Sequence, residues 1–190
     1  MALDGSGNLF IADDAYQRIR KVSPNGIITS VAGTATNGFP SGFSGDGGPA
    51  TAAGLSFPSG VVVDSAGNLF FADSGNGRIR EITADGIINT VAGAGPGLCC
   101  FSGDGGPATA SQLNSPWDLA VDGFGNVFIA DLSNRRVRKV AADGYPSHEH
   151  QQGRPRNWKP QSHQLGAGRG PAVGQQVIKL PNRALSDARE

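Results

Sequence analysis

Three features of this sequence predict an all-β fold built from repeated four-stranded antiparallel units. Glycine is frequent, 29 residues in 190, and it recurs at fixed places between short apolar runs. A ten-residue pattern occurs three times without gaps: Asp4-Gly-Ser-Gly-Asn-Leu-Phe-Ile-Ala-Asp13, Asp64-Ser-Ala-Gly-Asn-Leu-Phe-Phe-Ala-Asp73 and Asp122-Gly-Phe-Gly-Asn-Val-Phe-Ile-Ala-Asp131. No stretch sustains the 3.6-residue apolar spacing of a helix, whereas alternation with a period of two is common.

Each copy is followed five residues later by an arginine that opens an alternating run: Arg18-Ile-Arg-Lys-Val22, Arg78-Ile-Arg-Glu-Ile82 and Arg136-Val-Arg-Lys-Val140. A second set repeats as well. Gly26-Ile-Ile-Thr-Ser-Val-Ala-Gly33 matches Gly86-Ile-Ile-Asn-Thr-Val-Ala-Gly93, and Phe43-Ser-Gly-Asp-Gly-Gly-Pro-Ala-Thr51 matches Phe101-Ser-Gly-Asp-Gly-Gly-Pro-Ala-Thr109. The copies stand 60 and then 58 residues apart. Periods of this size mark propellers or solenoids. Within one period four strands are expected: Ser59–Val63 as a short buried apolar run, Asn68–Ala72, Arg78–Thr83 with strict apolar/charged alternation, and Ile87–Ala92. Gly, Asp, Asn or Pro bounds each of them. Four antiparallel strands per period make one β-propeller blade.

These residues resemble the NHL repeat family. The likeness lies in an apolar run ending in Asp, then Gly-Asn-Leu-Phe, Ala-Asp and Arg-Ile-Arg. The Gly-Asp-Gly-Gly-Pro-Ala-Thr loop resembles the bacterial branch with long connections between blades. The resemblance covers residues 1–144 and implies a β-propeller, commonly six-bladed in that family.

Residues 1–144 hold about two and a half periods, fewer than the four to eight blades of a closed ring. The chain is therefore expected to be a partial propeller: a fragment, or a protomer that needs other copies, because an open stack leaves apolar faces and strand edges uncovered. Blades are expected near 1–33, 59–93 and 116–144, with no fourth strand after Gly144. Residues 145–190 change character. They hold 7 Lys/Arg against 3 Asp/Glu, all three histidines (His148, His150, His163) and six of the eight Gln, whereas residues 1–144 hold 9 Lys/Arg against 13 Asp/Glu. The expectation is an irregular tail, either a shifted reading frame near Tyr145 or a natural disordered basic segment.

Asp13, Asp73 and Asp131 with Arg18, Arg78 and Arg136 look at first like acid/base pairs. Their repetition in every blade argues for architecture: the Asp accepts bonds from turn amides, and the Arg at the head of the third strand pairs with it. Asp4-x-x-Gly7-Asn8 and its copies lack the alternating carboxylates and distal Glu of a calcium loop. They read as hairpin turns. The Gly45-Asp-Gly-Gly48 and Gly103-Asp-Gly-Gly106 loops lack the Lys and Ser/Thr of a phosphate loop. They read as ordered connections held by Pro49 and Leu55, or Pro107 and Leu113. Cys99-Cys100 occurs in one loop only and reads as an incidental pair. The cluster Arg135-Arg136-x-Arg138-Lys139 has no aromatic platform for nucleic acid.

Neither catalytic residues nor metal ligands nor a cofactor are expected. The expected role is a non-enzymatic scaffold for protein or ligand binding, with a protein partner or the rest of a propeller bound and self-association open. Nucleic acid and membrane are not expected partners. The alternative is part of a metal-dependent propeller enzyme of the lyase or lactonase kind, with its site residues on other blades. Neither a signal peptide nor a transmembrane segment is legible, although a longer parent could be exported.

Overall fold

The structure, a computed structural model, describes residues 1–34, 42–96 and 101–142 and the backbone of 146–147. Cys99, Cys100, the three histidines and the tail beyond Ser147 lie outside the described residues.

Each repeat folds as an antiparallel sheet. The first contains β1 (Ala2–Leu3), β2 (Leu9–Asp13), β3 (Arg18–Val22) and β4 (Ile28–Ala32), hydrogen-bonded in that order. The second has five strands: β5 (Gly48–Pro49), β6 (Pro58–Val63), β7 (Leu69–Asp73), β8 (Arg78–Ile82) and β9 (Ile87–Ala92), ordered β5-β9-β8-β7-β6. The third contains β10 (Pro116–Val121), β11 (Val127–Asp131), β12 (Arg136–Val140) and β13 (Pro146–Ser147). We refer to them as blades one, two and three. The four strands expected from the second period are all present, within one residue at most ends. Among the described residues the only helical elements are single 3-10 turns.

The hairpin between the first two strands of a blade is closed by its aspartate. Asp4 Oδ1 accepts the Asn8 amide at 2.8 Å and the Ser6 amide at 2.9 Å, and Oδ2 accepts Asn8 Nδ2 at 2.6 Å. Asp64 and Asp122 repeat the arrangement with Asn68 and Asn126. Both carboxylate oxygens are thus spent within the turn.

Two findings depart from expectation. A fourth strand does begin in blade three. β13 pairs Pro146 with Val140 and Ser147 with Lys139, the register in which β9 pairs Ile88 with Ile82 and Asn89 with Glu81. In sequence, Ala141-Ala-Asp-Gly144 repeats the pattern of Thr83-Ala-Asp-Gly86, and β13 takes the edge of β12 that β9 takes on β8. The long connection also does more than bridge. Its Gly48–Pro49 segment pairs with Ile87–Ile88, so the loop leaving blade one becomes the outermost strand of blade two.

Alternation along the strands gives each blade two faces. Leu69, Phe71, Ile82 and Ile88 of blade two pack with Ile19 and Ala32 of blade one and with Ala50, Ala53 and Leu55 of the connection. Phe70, Ala72, Ile79 and Ala92 on the opposite face pack with Val127, Ile129 and Val140 of blade three. A fully buried aliphatic or aromatic side chain contributes about 1.5–3 kcal/mol, so these inter-blade layers hold the stack together. The outward faces lack this cover: Leu3 on blade one is 69% exposed and Val137 on blade three 56%.

Candidate functional site

Asp73 ends β7 wholly buried. Its Oδ1 accepts the Ser56 amide at 2.8 Å, and its Oδ2 accepts Asn76 Nδ2 at 2.9 Å and Arg80 Nη1 at 3.2 Å. The Arg80 guanidinium is also buried. Through Nη2 it donates to Asp46 Oδ1 at 2.8 Å and to the Ser44 carbonyl at 3.2 Å. Phe43 lies over the arginines, its ring centre 3.6 Å from Arg78 Cζ and 4.9 Å from Arg80 Cζ. The Phe43-Ser-Gly-Asp46 segment from one blade thus closes a charge cluster in the next.

Blade three repeats this. Asp131 accepts the Asn114 amide at 2.8 Å and Asn134 Nδ2 at 2.8 Å, and lies 3.8 Å from Arg138 Nη1. Arg138 Nη2 donates to Asp104 Oδ1 at 2.6 Å and to the Ser102 carbonyl at 3.1 Å, and Phe101 covers Arg136 and Arg138. In blade one Asp13 meets Arg20 at 3.5 Å.

The ion-pair partner expected from sequence is therefore one alternation short. Arg18, Arg78 and Arg136 face Asp13, Asp73 and Asp131 across the strand register. The carboxylates, however, bind Arg20, Arg80 and Arg138. The reason is reach: the second arginine lies diagonally across the ladder from the carboxylate, two residues along the third strand, and meets it in all three blades. The first lies at the edge, where Arg78 donates to the Asn76 and Ala94 carbonyls and Arg18 to Ser30 Oγ. Burial pushes the Asp73 carboxyl up, against the opposing pull of Asn76, the Ser56 amide and Arg80. Burial and the neighbouring Arg80 charge lower Arg78.

A second cluster was not legible in the sequence. At the start of β6 and β10 a cleft of about 530 Å³ is bordered by Asp14, Phe57, Ser59, Gly60, Trp117 and Asp118. Phe57 and Trp117 are 54% and 58% exposed. The frame beneath them is tied across blades. Ser59 Oγ donates to the Trp117 carbonyl at 2.7 Å and lies 2.6 Å from Ser74 Oγ, which reaches the Pro116 carbonyl. Gly60 permits the approach, since a Cβ there would fall 2.2 Å from Asp118 Oδ1 and 2.6 Å from its Cα. The only sequence signal was that Ser59–Gly60 and Trp117–Asp118 break an otherwise close repeat. Among the described residues no group of three or more His, Cys, Asp or Glu is placed to hold a metal ion.

Stacked four-stranded antiparallel blades, linked through their outer strands, define part of a β-propeller. The chain belongs to the NHL-repeat family: the teneurin NHL domain profile matches residues 38–98. Mouse teneurin-1 is 36% identical over 92 residues, 43% of this chain and 3% of teneurin-1. Drosophila melanogaster teneurin-m is 30% identical over 156 residues, 75% of this chain and 6% of teneurin-m. The chain thus spans a small part of these relatives. Among solved structures, a Bacteroides thetaiotaomicron protein of unknown function superposes with a TM-score of 0.59 at 27% identity, over 71% of this chain and 32% of that one. A gluconolactonase from Xanthomonas campestris shares the fold with a TM-score of 0.51 at 17% identity, over 77% of this chain and 45% of that one. A virginiamycin B lyase from Staphylococcus aureus does so at 0.50 and 14%, over 77% and 39%.

Proposed function

We propose that this chain is a non-catalytic binding scaffold that presents the Phe57–Trp117 cleft to a protein or smaller ligand. One observation carries the reading: two half-exposed aromatic rings stand on a frame fixed by serine hydrogen bonds between blades. Rigid aromatic side chains supply contact area at low entropic cost. Large apolar groups held in the open at a cleft mark recognition surfaces. Asp14 and Asp118 on its border favour a partner that offers hydrogen-bond donors or positive charge. Asp73 with Arg80 and Asp131 with Arg138, by contrast, are engaged with each other inside the stack.

The test is affinity capture with the whole chain, comparing wild type with Trp117→Ala and Phe57→Ala. Partners retained by wild type and lost with both variants support the reading. Partners retained equally by all three overturn it. The alternative is a share in a metal-dependent enzyme of the lyase or lactonase kind, with site residues contributed by other blades. It predicts stoichiometric metal in the purified protein, which elemental analysis reads directly.

A further inference from the structure

Three asparagine–glycine pairs occur in the sequence: Asn25-Gly26, Asn37-Gly38 and Asn76-Gly77. Asn37-Gly38 lies outside the described residues. The other two sit in opposite surroundings. Asn25 is exposed in the turn between β3 and β4. Its Oδ1 accepts the Ser23 hydroxyl at 2.5 Å and the Ile27 amide at 3.4 Å. A side-chain carbonyl bonded to the amide two residues on is folded back over the peptide between, which carries Asn25 Cγ toward the Gly26 nitrogen. Gly26 has φ 83° and open space where a Cβ would stand. Its amide is held by the Ser23 carbonyl of the same exposed turn, at 2.8 Å, so fraying of the turn frees it. Asn76, by contrast, is 6% exposed and donates Nδ2 to Asp73 Oδ2 at 2.9 Å. Beside it Gly77 is packed so closely that a Cβ would fall 2.8 Å from the Gly95 carbonyl oxygen.

We propose that Asn25 is a site of spontaneous deamidation. The Gly26 nitrogen gives up its proton to solvent base and attacks Asn25 Cγ. The N–Cγ bond forms, the Cγ–Nδ2 bond breaks, and ammonia leaves with a proton from water. The Ser23 hydroxyl stabilises the charge that develops on Oδ1. Water then opens the cyclic imide. Opening at the side-chain carbonyl gives aspartate; opening at the main-chain carbonyl gives isoaspartate, in which the chain runs through Cβ and Cγ. Blade two shows that the aspartate fits. Asp85 stands at the same place before Gly86, and its Oδ1 accepts the Thr83 hydroxyl as Asn25 Oδ1 accepts that of Ser23. Asp85 is exposed as well, although the connection from blade one runs beside its turn, with the Ala50 amide on the Gly86 carbonyl at 2.9 Å. The exposure therefore belongs to the turn itself. Isoaspartate does not fit, because its extra backbone atom lies inside the two bonds that close the hairpin, Gly26 amide to Ser23 carbonyl and Ser23 amide to Ile27 carbonyl. The inference is independent of what the Phe57–Trp117 cleft binds.

The experiment incubates the whole chain at mildly alkaline pH, natively and in urea, and follows digests by mass spectrometry with fragmentation that assigns each asparagine. In the native chain Asn25 should convert at least about tenfold faster than Asn76, whose reaction waits on the opening of a buried site. In urea the two rates should converge. Ser23→Ala should slow Asn25 in the native chain and leave its rate in urea unchanged. Asn25→Asp should melt with wild type. Equal native rates at Asn25 and Asn76 overturn the inference, as does an Asn25 that stays intact natively while the urea-treated chain converts. A melting temperature for Asn25→Asp well below wild type overturns the assignment of aspartate as the product the turn accepts.

Discussion

Arg80 and Asp73 meet at 3.2 Å with both side chains fully out of water, and Asp46 of the preceding connection completes the arginine's coordination at 2.8 Å. Removing one member of a buried pair strands the other charge, at about 3–5 kcal/mol. Arg80→Met is therefore expected to lower the unfolding free energy by that amount, and Arg138→Met to do likewise. Arg20→Met, at a partly exposed pair, should cost under about 1 kcal/mol. Urea unfolding of the three variants gives the ranking directly; equal effects would show that the incoming loop adds nothing.

The aromatic cover of the cluster is separable from its charges. Phe43 stands 3.6 Å from Arg78 Cζ and is 41% exposed. Phe43→Leu keeps an apolar lid but loses the ring face and should cost about 0.5–1 kcal/mol. Phe43→Ala should cost more. Chemical denaturation of the two variants beside wild type checks both the sign and the order.

Gly93 directly follows β9 at φ 96°, where an added Cβ would fall 2.2 Å from the Gly77 carbonyl oxygen. Gly93→Ala combines an unfavourable backbone with a backbone clash and should cost at least about 2 kcal/mol. Gly123 has open space around its Cβ direction. Gly123→Ala should stay within about 0.5 kcal/mol of wild type. Thermal unfolding of this pair tests the assignment of the strand end.

Two carboxylates should titrate with opposite consequences. Asp122 is held below its usual 3.8, first by Asn126 Nδ2. Its contribution is present above the unfolded-state value and is lost as pH falls through the lower folded-state value. Asp73 is pushed above 3.8 by burial. Its protonated form is the one favoured in the fold, so that contribution is complete below pH 3.8 and declines as pH rises through the raised value. The stability difference between wild type and Asp122→Asn should shrink toward low pH. The difference between wild type and Asp73→Asn should move against wild type as pH rises from about 3.8. Melting temperatures across pH 2.5–7, roughly the carboxylate range, decide both.

Much of the fold was legible because the repeat copies strand pattern and turn chemistry together. Asp64-x-x-Gly67-Asn68 announces a hairpin, and Arg78–Ile82 announces its partner strand. The choice of arginine was not legible. Arg78 and Arg80 share a strand face, and the one that reaches Asp73 is not its partner in the register but the diagonal neighbour two residues along, as Arg20 is for Asp13, a choice set by three-dimensional reach rather than by strand pairing. Nor did the sequence single out β5, because Gly48-Pro49 reads as part of an ordered connection and becomes a strand only against β9. The Phe57–Trp117 cleft was hidden for a related reason: it arises where the repeat is broken, and pattern reading rewards what recurs.

The spacing of the charge clusters also sets an order of events during synthesis. Arg80 and Arg138 each take their outer carboxylate from 34 residues earlier in the chain. When a third strand leaves the ribosome, the loop that will clasp it has already been made. Blades two and three can therefore each receive their clasp from chain already made when the third strand emerges.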